Sequence, residues 1–139
     1  MADKDFHLEI VTPDRALYVG EVVSVVAPGA EGSFGVLANH APMIAALGLG
    51  ELKLKEPSGH ERAMVLQGGF FEVSHNKAIV LADGGEWQEE IDLPRAEKAF
   101  ARAQERIMGN LPGIDRDRAR VAYEKAKMRV KVAKSRAGR

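Results

Sequence analysis

The chain has no cysteine among its 139 residues, which excludes disulfide scaffolds, thiolate metal sites and cysteine nucleophiles together. Hydroxyl groups are also scarce: five serines and one threonine are spread along the chain, none in a nucleophile motif. No apolar run approaches the roughly 18 residues that suggest a membrane span; Ala41 to Leu49 is short, and Pro42 and Gly48 punctuate it. A phosphate loop of the G-x-x-x-x-G-K-[S/T] kind is missing. Gly29-Ala30-Glu31-Gly32-Ser33-Phe34-Gly35 is rich in glycine, but Val36-Leu37 and then Pro42 follow where a phosphate cradle needs a helix to open. His7, His40, His60 and His75 are isolated and lack ligand spacing, so no metal site is expected. The opening MADKDFHLEIV carries acidic residues where a secretory leader needs positive charge. These absences give the expectation of a non-enzymatic chain in a reducing, cytoplasm-like compartment, without direct membrane insertion.

What is present divides in two. Hydrophobic content of 45% is ordinary for a folded protein, so a core is expected. Net charge is zero overall, but residues 1–90 hold 14 acidic and 6 basic side chains, a balance of −8. Residues 116–139 hold 2 acidic and 10 basic ones, a balance of +8. Like charges crowded on one segment repel, and such asymmetry reports an interaction surface unless the segment is only a solvated helix.

The hydrophobic period changes at the same boundary. Phe6-His7-Leu8-Glu9-Ile10 alternates with period two, and Thr12-Pro13-Asp14 ends it. Further strands are expected at Leu17–Val19, Val22–Ala27, Ser33–Leu37, Met43–Leu47, Glu51–Lys55, Arg62–Gln67, Phe70–Val73 and Ala78–Ala82. Many short strands with glycine-rich turns favour an antiparallel sandwich or barrel. After Trp87 the period is helical: Ala96, Ala99, Phe100, Ala103 and Ile107 share one face, and Ala119, Ala122, Tyr123, Ala126, Val130 and Ala133 another. The expected fold is α+β: an N-terminal antiparallel β-sandwich over 1–86, then a C-terminal antiparallel two-helix hairpin over 87–139. Its helices are expected near 93–108 and 116–135, with a turn over 109–114.

The two helices repeat each other 23 residues apart. Ile91-Asp92-x-x-Arg95-Ala96 aligns with Ile114-Asp115-x-x-Arg118-Ala119. Asp92 and Asp115 each stand where a capping carboxylate accepts backbone N–H groups. The facing stripe is mostly alanine, with Phe100, Ile107, Tyr123 and Val130 as its large anchors. A large side chain contributes about 1.5–3 kcal/mol when fully buried, and alanine far less. The helices should therefore form locally yet pack weakly on each other, which makes the hairpin a movable element.

The segment Glu31-Gly32-Ser33-Phe34-Gly35-Val36-Leu37-Ala38-Asn39-His40-Ala41-Pro42-Met43 resembles a characteristic stretch of the epsilon subunits of F-type ATP synthases. Gly69-Phe70-Phe71-Glu72-Val73, the following Asn76 to Asp83, and the Ile91-Asp92-x-x-Arg95-Ala96 start of an alanine-rich hairpin extend the resemblance over essentially the whole chain. The resemblance implies a non-catalytic central-stalk subunit of the complex that makes ATP from ADP and phosphate using a proton gradient. Its sandwich would bind the gamma subunit and sit on the c-ring, at the cytoplasmic face of the inner membrane, with one loop holding Glu31 and His40 near the c-ring loops; His40 reads equally as a turn residue before Pro42. Its hairpin would fold down or extend into the catalytic head and block hydrolysis. The basic helix carrying Arg116, Arg118, Arg120, Lys127, Lys131 and Lys134 would meet acidic helices of the catalytic beta subunits.

Some bacterial relatives in that family bind one regulatory ATP between the helices. The resemblance carries this over to Glu86, Ile91, Asp92, Arg95, Ala96, Arg102, Lys125 and Arg129. Lys125 stands where such a relative has arginine, and lysine lacks the planar fork for bidentate phosphate contact. The second motif copy at Asp115 shows that capping alone can account for the pattern, so nucleotide binding and capping both stay open as readings. Two other readings compete: a nucleic-acid-binding protein and a stand-alone small-molecule sensor. The acidic first part and the single aromatic, Tyr123, in the basic helix argue against nucleic acid, since stacking platforms need more.

Overall fold

The computed structural model describes residues 4–109, 113 and 115–137. The chain divides into two compact units, Met1–Trp87 and Gln88–Arg139. The first unit contains β1 (Phe6–Val11), β2 (Ala16–Val22), β3 (Ser24–Gly29), β4 (Gly32–Leu37), β5 (Met43–Lys55), β6 (Glu61–Ser74), β7 (Lys77–Ala82) and β8 (Gly85–Trp87). Along β1, Phe6, Leu8 and Ile10 are buried and the residues between them are half-buried. Strand β7 repeats the alternation with Ala78, Val80 and Ala82 inward. These side chains join Val22, Val25, Val36, Leu52, Leu54, Met64, Leu66, Phe71 and Trp87 in one core cluster. Period-two burial is what fixes strand register, because a one-residue slip would turn the apolar set outward.

The strand order is β2-β1-β7-β6-β5-β3-β4, with β8 also paired to β6. Pairings between sequence neighbours are antiparallel, as expected, but β1 and β7 run parallel. They are not joined by a hairpin, so no tight turn dictates their relative direction. A second difference concerns length. The separate strands expected at Met43–Leu47 and Glu51–Lys55 are one strand, β5, and those at Arg62–Gln67 and Phe70–Val73 are one strand, β6. The intervening glycines are bends within a continuous ladder. Gly68 and Gly69 have φ of +86° and +126°, values that L side chains rarely adopt. There β6 changes its second neighbour from β8 to β7, and one long strand serves both layers of the sandwich.

The second unit opens with a 3-10 turn at Gln88–Glu90, followed by α1 (Leu93–Met108) and α2 (Arg116–Ala137). Most of the turn expected over 109–114 lies outside the described residues. Glu97 meets Lys134, and Phe100 meets Tyr123, so the helices are antiparallel. Ala96, Ala103, Ala119, Ala126, Val130 and Ala133 are buried. Ala122, expected on the packed stripe, is exposed instead, and Val132, outside that stripe, is fully buried. Ala99, Phe100, Ile107 and Tyr123 are only half-buried.

Candidate functional site

The Ile91-Asp92-x-x-Arg95-Ala96 motif forms the start of α1. Asp92 is its N-cap, and one carboxylate oxygen accepts the Arg95 N–H at 3.2 Å. The Asp92 carbonyl accepts the Ala96 N–H at 2.9 Å. Pro94 occupies the first turn, where its missing donor costs nothing. The second copy has the same geometry: Asp115 accepts the Arg118 N–H at 3.1 Å, and its carbonyl accepts the Ala119 N–H at 3.0 Å. Ile91 and Ala96 are buried, while Asp92 and Arg95 are exposed. Arg102 on α1 and Lys125 on α2 are exposed, and Arg129 on α2 is half-buried. Glu86 lies in the first unit, on β8 opposite Val65. What joins Asp92 to Arg95 is thus a main-chain cap.

Two surface clefts border the opposite, closed end of the hairpin. One of about 320 Å³ is lined by Arg106, Ile107, Arg116, Asp117, Ala119 and Arg120. The other, of about 610 Å³, includes Arg106, Asp115 and Arg118. Neither is lined by Asp92, Arg95, Arg102, Lys125 or Arg129.

The basic side chains of α2 are ordered by helical geometry. At about 100° per residue, Arg116, Arg120, Lys127, Lys131 and Lys134 fall within a sector of about 60°. All five are exposed, and the ridge runs about 27 Å along the helix at 1.5 Å per residue. Arg118, also exposed, falls on the other flank with Lys125 and Arg129. Arg120 is 3.8 Å from Asp117, and Lys134 is 3.7 Å from Glu97. These are exposed pairs, which screen readily and hold the side chains only loosely.

Glu31 and His40 do not form one cluster. Glu31 sits exposed in the two-residue loop between β3 and β4, whereas His40 follows the far end of β4. Six residues of strand separate them by about 20 Å. His40 Nδ1 donates to the Ala41 carbonyl at 2.7 Å. The residue holding this loop in place, Asn76, carries no sequence signal of a site. Its side-chain carbonyl accepts the Asn39 N–H, and its amide donates to the Asp5 carbonyl at 3.0 Å.

His7 is also less isolated than its sequence neighbours suggest. Its Nδ1 is 2.8 Å from Glu21 and its Nε2 is 2.9 Å from Glu9, and Lys77 lies 3.5 Å from Glu9. The hydrogen bond to Glu21, then that to Glu9, raises the His7 pKa above its ordinary value. The same hydrogen bond to His7 lowers the Glu9 pKa. The i, i+2 spacing of His7 and Glu9 in a strand was the available signal; Glu21 and Lys77 arrive through register.

Among the described residues, no group of three or more histidine or carboxylate side chains could hold a metal, and no helix is long and apolar enough to cross a membrane.

The family model described as "ATP synthase, Delta/Epsilon chain, beta-sandwich domain" matches residues 5–88, and the one described as "long alpha-helix domain" of the same chain matches residues 89–134. The chain belongs to the ATP synthase delta/epsilon family. It is 41% identical over 133 residues to the ATP synthase epsilon chain of Syntrophomonas wolfei, covering 96% of this chain and 97% of that one. The epsilon chain of Nitratidesulfovibrio vulgaris is 44% identical over 130 residues, 94% of this chain and 96% of the relative. Within the family the chain is therefore of the epsilon type, a non-catalytic subunit. Two solved assemblies share the fold. A chain of the Euglena gracilis mitochondrial ATP synthase, in its OSCP/F1/c-ring structure, superposes with a TM-score of 0.81 at 22% identity, covering 98% of this chain and 82% of that one. One from the central stalk and c-ring structure of the Tetrahymena thermophila enzyme gives 0.56 at 18% identity, covering 93% of each.

Proposed function

We propose that the chain couples rotor to catalytic head as a central-stalk subunit of a proton-translocating ATP synthase, and that its hairpin restrains ATP hydrolysis. The β unit would bind the gamma subunit, with the loop at Glu31 or the one at His40, which lie at opposite ends of β4, directed at the c-ring. The complex would place it peripherally at the cytoplasmic face of the inner membrane. One observation carries the regulatory reading. A helix pair whose seam is mostly alanine, with Phe100, Ile107 and Tyr123 only half-buried, also carries a continuous ridge of five exposed cations. Weak packing lets α2 leave its partner, and the ridge gives it an acidic destination such as the catalytic beta subunits. The test is a reconstituted ATP synthase containing this chain ended after Trp87. Hydrolysis should rise while proton-coupled synthesis persists; unchanged hydrolysis would remove the inhibitory role.

A regulatory ATP is the second part of the proposal. Arg95, Arg102, Lys125 and Arg129, with Asp92 and Ile91–Ala96 shaping the start of α1, offer cations to its phosphates. Capping accounts for Asp92 without any ligand, so the decisive variants are Arg102→Ala and Lys125→Ala, which touch no cap. Calorimetry with ATP should show affinity falling in both. Equal affinity in wild type and variants would leave Asp92 as a cap alone.

A further inference from the structure

We propose that Gln88 is a clasp that keeps the hairpin closed. Its side-chain amide grips the main chain of α2, and its release precedes separation of that helix. Gln88 is the buried polar residue of the described structure, 5% exposed. Its Nε2 donates to the Val132 carbonyl at 2.8 Å, across 44 residues of sequence. Its own carbonyl accepts the Ile91 N–H at 3.3 Å and so closes the 3-10 turn. One residue thus orders the segment leading into α1 and holds the second half of α2.

Three physical points make this bond a clasp. A carbonyl has two acceptor sites, so Val132 takes the amide without giving up its helical bond. A buried amide left unsatisfied is penalised far more than an exposed one, so Gln88 must either hold Val132 or become wet. Val132 also lies about 140° around α2 from the alanine stripe that faces α1. It is fully buried although it lies outside the seam. The helix is held by a weak apolar seam with α1 and by one directional polar bond from Gln88 at the open end of the hairpin. The clasp's importance for regulation rests on reading the hairpin as a movable element.

The absence of cysteine makes the test direct. Spin labels at Lys98→Cys on α1 and Lys127→Cys on α2, both exposed positions, report helix separation in the full chain. Gln88→Leu keeps the volume and removes the donor. It should add a long-distance population, raising the open fraction on the order of fivefold, the worth of one net hydrogen bond. Amide exchange should accelerate most over residues 127–137 and fade towards 116–122, as unzipping from the open end requires. Gln88→Asn, too short to reach Val132, should do the same and stands in if the leucine variant fails to fold. Unchanged distances and exchange in both variants would overturn the clasp, as would an equal acceleration through the β strands. The measurement needs no ATP synthase, so the clasp can stand or fall independently of the hairpin's effect on hydrolysis.

Discussion

Asn76 accepts the backbone N–H of Asn39 at 2.7 Å, tying the turn between β6 and β7 to the loop that carries His40. The turn is a two-residue hairpin in which His75 and Asn76 have φ of 51° and 60°, the geometry of a type I′ turn. Asparagine tolerates that conformation and still offers a side chain, whereas glycine tolerates it and offers none. Asn76→Gly should therefore preserve the turn and lose the bonds to Asn39 and Asp5. The expected cost is about 1–2 kcal/mol. Amide exchange should rise over residues 39–43 while the β6–β7 ladder stays protected. If the ladder opens as well, the side chain is holding the turn and not the loop.

The cluster of His7, Glu21, Glu9 and Lys77 makes a pH prediction with a definite sign. The folded His7 pKa is raised above 6.5, first by its hydrogen bond to Glu21 and then by that to Glu9. Its contribution is thus fully present below the unfolded value and is lost as pH rises through the folded one. Glu9, with its pKa lowered, contributes in the opposite sense, losing its stabilisation as pH falls through its folded value. The gap in melting temperature between wild type and His7→Gln should be widest at mildly acidic pH and close towards alkaline pH. An NMR titration of His7 should place its midpoint above 6.5. A gap independent of pH would show that only packing was lost.

Local pattern made the period-two strands and both helices legible, because β1 and β7 bury the residues that their own periodicity selects, and α1 buries Ala96 and Ala103 of its stripe. Long-range pairing was not legible. Nothing near Phe6–Val11 or Lys77–Ala82 says that they lie parallel, and glycines at 48, 50, 68 and 69 look the same in a bend as in a turn. Val132 escaped for a related reason. Its carbonyl takes part in a second contact of α2, with the 3-10 turn, while a single stripe of alanines captured only the contact with α1. Of the candidate sites, the Asp92 and Asp115 caps were readable because capping is a three-residue relationship. Gln88 and Asn76 were not, since their partners are 44 and 37 residues away.

Gly69 gives a sharper test of the fused strand. A β-carbon added there would run into the Leu81 carbonyl oxygen and lie 2.8 Å from the Ala82 Cα, in a backbone region with φ of +126°. Both neighbours are main chain of the adjacent strand and cannot rotate away. Gly69→Ala should cost about 3 kcal/mol or more in the β unit, clash and strain acting together. Gly59, with φ of +94° and nothing near its missing side chain, is the control: alanine there carries strain alone and should cost about 1 kcal/mol. Denaturant melts of the two variants separate these effects, and equal losses would mean that β6 and β7 can part at the bend.

The end of the β unit can be located to within two residues. The Trp87 indole N–H donates to the Leu17 carbonyl at 3.2 Å, the Arg62 guanidinium lies 3.7 Å from the Trp87 ring centre, and Tyr18 meets that ring edge-on at 6.2 Å. Strand β8 adds register pairs from Trp87 to Met64 and from Glu86 to Val65. Every residue of the core cluster lies at or before Trp87. A chain ended after Trp87 should therefore fold alone, with a strand-type circular dichroism spectrum and a cooperative melt. A chain ended after Gly85 lacks the indole that fills this corner, and should lose about 3–5 kcal/mol, the range for deleting a buried aromatic. Arg62→Ala in the longer chain should shift the fluorescence of the single tryptophan and cost about 1 kcal/mol. If both truncations melt alike, Trp87 owes its burial to something other than the β core, and the boundary belongs before it.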